Sequence, residues 1–239
     1  MADVVRGLDP ETPVPSCPDW TVAQLVRHVG TVHRWAGQMV RDRSTERLDT
    51  RTLDLGLPDD PRAYADWLAA GAAPLVAAFA ASDPDAVMWA WGADQHARFW
   101  PRRMLHETTV HRVDAELAAG RDPTVDAATA ADGIDELLEN LPSAGYFRPR
   151  VAELRGRGES ISLRGTDGDD RWLIRLEPDR FDWERGGGDA IPAGATVAVA
   201  AATDDLLLLV YGRRAMRDDR FELAGDAQVL ERWLECSAL

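Results

Sequence analysis

Two helical segments of this 239-residue chain carry four of its five histidines, and imidazoles are common ligands of metal ions. In the second segment Glu107 and His111 are four residues apart, so helical geometry places them on one face, about 40° from each other. A carboxylate and an imidazole in this arrangement can bind one metal ion. The same spacing also occurs by chance as an ordinary surface pair, so a metal site requires a third ligand from elsewhere.

The first helical segment offers two candidates for the third ligand, His28 and His33. His28 lies in the same row as Trp35, and His33 lies in the same row as Val26, so both rows belong to a broad apolar arc. A histidine on an apolar arc is more often a hydrogen-bonded core residue than a ligand. Periodicity alone does not choose between the two.

Four helices are predicted to position these residues, in a segment that is rich in alanine as a whole. Asp19 or Thr21 can cap the first helix, and Gly120 and Pro142 end the third and fourth. The predicted helices cover residues 22–43, 61–82 and 126–141, and the third begins between residues 98 and 102 and ends at residue 120.

After residue 144 the pattern changes to short alternating runs, which are typical of strands. The strands are predicted in SISLRG, RWLIRL, RFDWE, ATVAVAA and FELAG, and two helices in TDDLLLLVYGRR and DAQVLERWLECSAL. The change falls near residues 142–152. We therefore predict a helical domain over residues 1–145 and a small α+β domain over residues 146–239.

Composition limits the classes of partner and the compartment. The chain has 27 basic and 41 acidic residues, and its formal charge of −14 disfavours binding to nucleic acid or to anionic membranes. Only Cys17 and Cys236 are present, so a disulfide framework is not expected. The N-terminus lacks the apolar core of a signal peptide, and no uninterrupted apolar run reaches the length of a membrane span. A cytoplasmic protein fits these features.

Several longer runs of sequence resemble one known family. SCPDWTVAQLVRHVGTVHRWA and MLHETTVHRVDAELAAG are similar to segments of the mycothiol-dependent maleylpyruvate isomerase family. DDRWLIRLEPDRFDWERGGGDA, TDDLLLLVYGRR and FELAGDAQVLERWL resemble its C-terminal domain, in the same order. The resemblance implies a DinB-like four-helix bundle followed by a small α+β domain.

The resemblance also implies a ligand set. The family's divalent metal, usually zinc, would be held here by His28, Glu107 and His111, with His33 the less favoured ligand from the first helix. Asp114 is placed to orient an imidazole. Three protein ligands leave an open coordination position, as in catalytic zinc sites.

The family's small domain would contribute an arginine, assigned here to Arg213, with Arg214 as the alternative. The paired arginines could instead satisfy the carbonyls at the end of a helix. Trp20 is expected in the core. Cys17 has no obvious base beside it and is not expected to be a nucleophile.

The function implied is that of a metal-dependent isomerase or S-transferase, with mycothiol as cosubstrate and a small electrophile as substrate. Zinc would activate the low-molecular-weight thiol as a thiolate. Two alternatives stay open: a non-catalytic metal-binding or regulatory module, and a hydrolase using zinc-bound water, for which no free general base is evident.

Overall fold

The structure is a computed structural model that describes residues 1–187 and 194–238. The chain forms two compact units, Met1–Pro123 and Thr124–Leu239. The first unit is helical, and the second combines helices with a five-stranded mixed sheet. The predicted fold class, an α domain followed by an α+β domain, is confirmed.

Three long helices dominate the first unit, and short 3-10 turns at Thr50–Thr52 and Pro61–Ala63 interrupt the connection between the first two of them. A four-residue helix precedes them. The α-helices are α1 (Ala2–Val5), α2 (Val22–Asp42), α3 (Tyr64–Ala81) and α4 (Phe99–Ala118).

Thr21, rather than Asp19, caps α2. The Thr21 hydroxyl accepts a hydrogen bond from the backbone of Gln24, and the Gln24 side chain accepts one from the backbone of Thr21. This reciprocal capping box satisfies two amides that the first helical turn leaves unpaired. Asp19 instead adopts a left-handed conformation with φ of 68°. It therefore shapes the loop that leads into the helix.

Helices α2 and α3 pack closely because α2 has a glycine at the contact. The Trp67 ring of α3 lies directly over Gly30, where a Cβ atom would come within 2.0 Å of the ring. Next along α2, the Trp35 and Trp100 rings meet edge to face at 5.1 Å, the arrangement that aromatic pairs prefer. The cluster around them contains Trp35, Met39, Leu75, Met88, Phe99, Trp100 and Met104.

The segment Pro61–Ala81, which includes α3, is long and apolar enough to cross a membrane when judged by length and composition alone. Core helices pass the same test. One side of α3 packs inside the unit through Trp67, Leu68 and Leu75. The expectation that the protein has no membrane partner stays a prediction.

The second unit is built around a sheet of order β3-β2-β1-β4-β5 in which only β1 and β4 run parallel. Its helices are α5 (Ala127–Asn140), α6 (Thr203–Val210) and α7 (Ala227–Ser237). Its strands are β1 (Ser160–Gly165), β2 (Asp170–Leu176), β3 (Phe181–Gly187), β4 (Val197–Ala201) and β5 (Glu222–Gly225).

Helix α5 belongs to the second unit, although the sequence predicted it as the fourth helix of the first domain. The fully buried Trp172 indole of β2 donates a 2.7 Å hydrogen bond to Asp135 of α5, and Arg185 of β3 forms an ion pair with the same carboxylate. Helix α5 also packs against α6. The predicted boundary after residue 145 therefore falls inside the second unit. The sequence pattern changes from helical to strand-like only after α5, whereas the unit itself already includes α5.

We expect Gly30→Ala to destabilise the protein by about 1–3 kcal/mol, because overpacking against Trp67 outweighs the better helix propensity of alanine. Urea unfolding would measure the loss. Gly7→Ala is the matched control, since a Cβ at Gly7 meets no atom within 4 Å. Equal stability of Gly30→Ala and the parent would contradict the close approach.

Candidate metal centre

Helices α2 and α4 bring His28, Glu107 and His111 together. One ligating atom from each lies within 4.8 Å of the others. Glu107 Oε1 is 2.9 Å from His28 Nε2 and 3.3 Å from His111 Nε2. Glu107 and His111 share a face of α4, as the i, i+4 spacing predicts, and α2 supplies His28 from the facing helix.

The cluster is more accessible at one end than at the other. The His28 side chain is 36% exposed, whereas Glu107 and His111 are 17% and 12% exposed. A small molecule can therefore reach the cluster from the side of His28.

Asp114 fixes the orientation of the His111 ring. Its Oδ2 atom lies 2.7 Å from His111 Nδ1, and its side chain is fully buried. When Nδ1 donates to this carboxylate, Nε2 faces Glu107 and carries the lone pair needed by a metal.

Asp114 also accepts two hydrogen bonds from the loop before α2. The Ser16 hydroxyl donates to Oδ1 at 2.5 Å, and the Cys17 thiol donates to Oδ2 at 3.4 Å. Cys17 therefore contacts a carboxylate that the sequence did not place beside it. Helical spacing finds Asp114 next to His111, but no local pattern connects Asp114 with residues 16 and 17.

Backbone hydrogen bonds within the loop over residues 14–20 hold Ser16 and Cys17 next to α4. The Val14 amide donates to the Trp20 carbonyl at 2.9 Å, and the Cys17 amide donates to the Val14 carbonyl at 3.1 Å. Trp20 then packs against both imidazoles, with ring centroids 5.0 Å from His28 and 6.3 Å from His111. Trp20 is partly buried and packs against the hydrophobic core of the unit, so the expectation that it belongs to the core holds in part, and its ring also forms a wall of the cluster.

The buried Arg103 holds the other oxygen of Glu107. Arg103 lies one turn before Glu107 on α4, and its guanidinium donates to Glu107 Oε2 at 2.9 Å. Arg103 was not among the site residues predicted from the sequence, although its i, i+4 spacing to Glu107 was a signal. Since Oε2 is occupied, Oε1 remains directed at the two histidines.

The electrostatics of the cluster favour ionised Glu107 and positive charge at His111. Burial alone would raise the pKa of Glu107, but hydrogen bonds from His111 and His28 and the charge of Arg103 lower it well below its ordinary value. Burial alone would lower the pKa of His111, but its contacts with Asp114, Cys17 and Glu107 raise it well above its ordinary value. The same carboxylates would attract a bound cation.

His33, the alternative first-helix ligand, lies outside the cluster. Its Nε2 atom is 2.8 Å from the hydroxyl of Thr108, which itself donates to the Met104 carbonyl at 2.6 Å. Nε2 therefore carries the hydrogen. His33 Nδ1 is buried and has no hydrogen-bond partner in the part of the chain that the structure describes. This is the environment of a neutral core histidine, so the geometry favours His28 as the third member of the set.

Comparison with known protein families gives two matches. Residues 1–116 match the mycothiol maleylpyruvate isomerase N-terminal domain, and residues 128–232 match the C-terminal domain of the same family. The chain belongs to the mycothiol-dependent maleylpyruvate isomerase family. The division between the units, after Pro123, lies in the interval between the two matched ranges, which supports placing α5 with the second domain of the family.

Among solved structures, the chain is similar to the crystal structure of the mycothiol-dependent maleylpyruvate isomerase, with a TM-score of 0.57 and 16% identity over 93% of this chain and 86% of the other. A UbiJ-SCP2 ubiquinone synthesis protein matches 48% of this chain and 93% of its own, with 18% identity and a TM-score of 0.32. A double mutant of the sec-alkyl sulfatase PisA1 matches 90% of this chain and 30% of its own, with 14% identity and a TM-score of 0.35. Comparison with curated proteins gave no match.

Arg213, the arginine that the resemblance to this isomerase family selects, lies just after α6 in the second unit. Its guanidinium donates to the Tyr211 carbonyl at 2.6 Å. The neighbouring Arg214 is 2.7 Å from Asp205 and is largely buried. Arg214 thus already forms an ion pair within the second unit. The catalytic role of Arg213 stays a prediction.

We expect the free energy of unfolding to fall in acid because of the environment of His33. Burial lowers the pKa of His33 from 6.5 to about 4, so the unfolded chain binds a proton there that the folded chain does not. The contribution of His33 to the free energy of unfolding is fully present above pH 6.5 and is lost as the pH falls towards 4. The loss amounts to about 3 kcal/mol.

Urea unfolding of the parent and of His33→Gln between pH 7.5 and pH 4.5 would measure this contribution. Glutamine can still donate to Thr108 but does not titrate. The free energy of unfolding of the variant should therefore fall less over this interval than that of the parent. The same pH dependence in both proteins would show that His33 does not carry the effect.

Proposed function

We propose that the protein is a metal-dependent, thiol-using isomerase or S-transferase that acts on a small electrophilic substrate. Mycothiol is the proposed thiol cosubstrate, consistent with membership of the isomerase family. The observation that carries the proposal is the meeting of His28, Glu107 and His111, whose ligating atoms lie within 4.8 Å of one another.

The donor set fits zinc. Two imidazole nitrogens and one carboxylate oxygen are a known ligand combination of catalytic zinc, and they leave a coordination position open. A second group, Cys17, His111 and Asp114, also has ligating atoms within this distance. Its Asp114, however, already accepts hydrogen bonds from Ser16, Cys17 and His111, and so serves better to support His111.

When bound, zinc would supply a Lewis acid that lowers the pKa of a coordinated thiol below its free value of about 8.5. The protein groups have separate tasks around it. Asp114 keeps His111 Nε2 directed into the cluster, and Arg103 keeps Glu107 Oε1 directed there. Trp20 packs against the two imidazoles and restricts the positions their rings can take.

The thiolate would act as a nucleophile towards an activated cis double bond. Its sulfur forms a bond to one alkene carbon, and the electron pair of the π bond moves into the neighbouring electron-withdrawing group. The remaining single bond rotates, and elimination of the thiolate restores the double bond as trans. If the sulfur instead stays attached and the carbanion takes up a proton, the product is the S-conjugate.

Arg213 is the proposed substrate-binding residue in this reaction. A guanidinium can hold a carboxylate through two parallel hydrogen bonds, which would orient a small acidic substrate. We propose this role for Arg213 and not for Arg214, because Arg214 is paired with Asp205.

We expect the purified protein to contain about one zinc per chain, since three ligands converge at one site. His111→Ala and Glu107→Ala should each lose the metal together with thiol-dependent turnover. Metal analysis and a turnover assay would measure both. His96→Ala is the matched control, because His96 pairs with Asp94 and is not a member of the cluster.

Full turnover in protein stripped of metal would rule out the proposed mechanism. Cobalt substitution distinguishes a catalytic metal site that binds thiol from a non-catalytic metal-binding module. If small thiols leave the cobalt spectrum unchanged, the metal does not bind thiol, and the module becomes the better explanation.

We expect Asp114→Asn to weaken zinc binding about 10- to 100-fold, which is typical when the partner of a ligating histidine is changed. The amide keeps the size of the carboxylate but supplies no negative charge to His111 Nδ1–H. Competition with a chelator would give the dissociation constant for zinc, and circular dichroism would check the fold. An unchanged dissociation constant would show that Asp114 does not support His111 as a ligand.

A further inference from the structure

A pocket of about 300 Å³ lies in the first unit, where α1, α2 and α3 come together. We call it the N-terminal pocket. Its lining comes from residues 5–10, which include the turn after α1, from three positions on α2, and from the turn and first residues of α3, within 61–65. This volume is at the lower end of the range of small-molecule sites, which is about 300–1,000 Å³. The pocket therefore suits a small ligand.

The N-terminal pocket and the metal cluster lie on different sides of α2. Val26 and Ala23 line the pocket, and helical geometry turns them about 160° and about 140° away from His28. None of the described lining residues belongs to the metal cluster. A molecule in this pocket would therefore be held by a different set of residues from those proposed for the metal.

The floor of the N-terminal pocket is part of the hydrophobic core of the unit. Val5, Val22, Val26 and Ala65 line the pocket, and each of them is at most 6% exposed. All four belong to one core cluster, so their positions are fixed by close packing from behind. Such a floor would remove an apolar group of a ligand from water, which favours a branched alkyl side chain.

The turn after α1 is fixed to α2 by backbone hydrogen bonds. The Pro10 carbonyl accepts from the Ala23 amide at 2.9 Å, and the Thr12 carbonyl accepts from the Val22 amide at 2.9 Å. The Leu8 amide donates to a carbonyl of α1, that of Val5, at 3.0 Å. The wall formed by this turn is therefore preformed, which reduces the entropic cost of binding a ligand.

Two arginines line the N-terminal pocket, and one of them already has acidic partners. Arg6 forms ion pairs with Asp3 and with Asp66, the second at 3.1 Å. Arg62, in the turn before α3, is exposed, and its guanidinium forms no hydrogen bond or ion pair with residues 1–187 or 194–238. A guanidinium can bind a carboxylate through two parallel hydrogen bonds. Arg62 is therefore the group of the lining that would bind the carboxylate of a ligand.

The lining also contains one carboxylate, that of Asp9 in the turn after α1. Asp9 Oδ1 accepts a hydrogen bond from the Glu11 amide at 3.0 Å, and Asp9 forms no ion pair within the described part of the chain. Asp9 and Arg62 therefore border one small volume from separate segments without pairing with each other. A ligand that carries both charges would satisfy both side chains.

The two charges and the apolar floor together favour one class of ligand. A ligand with a single charge would pair with one side chain and bring a like charge towards the other. We propose that the N-terminal pocket binds a small zwitterion of the α-amino-acid type with a branched apolar side chain. Its carboxylate pairs with Arg62, its ammonium group pairs with Asp9, and its side chain lies on Val22 and Val26. This site does not rest on the proposed function, because it needs neither a metal nor a thiol.

The test compares leucine with three relatives that each lack one of the recognised groups. Leucinamide has no carboxylate, N-acetylleucine has no ammonium group, and glycine has no side chain. Calorimetry on the full-length protein would give the four dissociation constants. We expect leucine to bind at least about 10-fold more tightly than each of the others, because every relative loses a charge-assisted hydrogen bond or the burial of the side chain.

Two variants assign the charged groups. In Arg62→Met, leucine should bind no better than leucinamide, and the affinity for leucinamide should stay unchanged. In Asp9→Asn, which keeps an oxygen for the Glu11 amide, leucine should bind no better than N-acetylleucine. Arg27→Met and Asp59→Asn are the matched controls, because both residues are exposed and lie outside the lining of this pocket, and they should keep the full preference for leucine.

Amino acids also chelate metal ions, so each titration would be repeated on protein treated with a chelator. Unchanged binding of leucine there supports the N-terminal pocket, whereas binding that is lost with the metal would overturn the inference. Tightest binding of N-acetylleucine, lost in Arg62→Met, would overturn it in favour of a site for plain carboxylates. Equal binding of leucine and glycine, or no binding of any of the four, would also overturn it and leave the proposed function intact.

Discussion

The candidate metal centre depends on one buried carboxylate, that of Asp114. An ionised carboxylate removed from water is costly unless hydrogen bonds replace its hydration. Three donors do so here: the Ser16 hydroxyl, the Cys17 thiol and His111 Nδ1. Because the first two lie in the loop before α2 and the third lies on α4, satisfying Asp114 joins that loop to the helix and sets the ring orientation of His111. The geometry of the cluster follows from this requirement.

The same requirement gives the segment SCPDWT a physical role. Ser16 and Cys17 satisfy Asp114, Asp19 takes up the left-handed turn, and Thr21 caps α2, so the chain reverses within a few residues. That reversal places Trp20 against His28 and His111. Cys17 is therefore understood as a hydrogen-bond donor to a buried acid, and its proximity to His111 does not need to imply that it is a nucleophile.

The sequence was sufficient for features that depend on helical spacing and insufficient for those that depend on how distant segments meet. Glu107, His111, Asp114 and Arg103 all lie on α4 at steps of three or four, and all but Arg103 were candidate site residues from the sequence. Periodicity did not distinguish His28 from His33, because both lie on the apolar arc of α2. The crossing of α2 with α4 distinguishes them, by placing one beside Glu107 and the other beside Thr108.

The division into units likewise could not be predicted from local sequence patterns. Helix α5 has an amphipathic pattern typical of a bundle helix, and nothing within it reveals that its partners lie in the second unit. Asp135 of α5 accepts a hydrogen bond from the buried indole of Trp172, 37 residues later in the chain. Contacts with β2, β3 and α6 thus hold the helix in the second unit, although the strand pattern begins later in the sequence than the unit itself.

The distribution of partners around the cluster explains why its accessible side is at His28. Asp114 orients His111 from the buried side, and Arg103 occupies the second oxygen of Glu107, so the two α4 ligands are fixed from within the unit. In the described residues His28 has no hydrogen-bond partner other than Glu107, and it borders a cleft that Trp20, Gln24 and Leu53 also line. The orientation of the two α4 ligands and the wall of the cleft formed by residues 50–55 therefore depend on different residues. Changes along residues 50–55 could alter which molecules fit beside the cluster without disturbing the groups that would hold the metal.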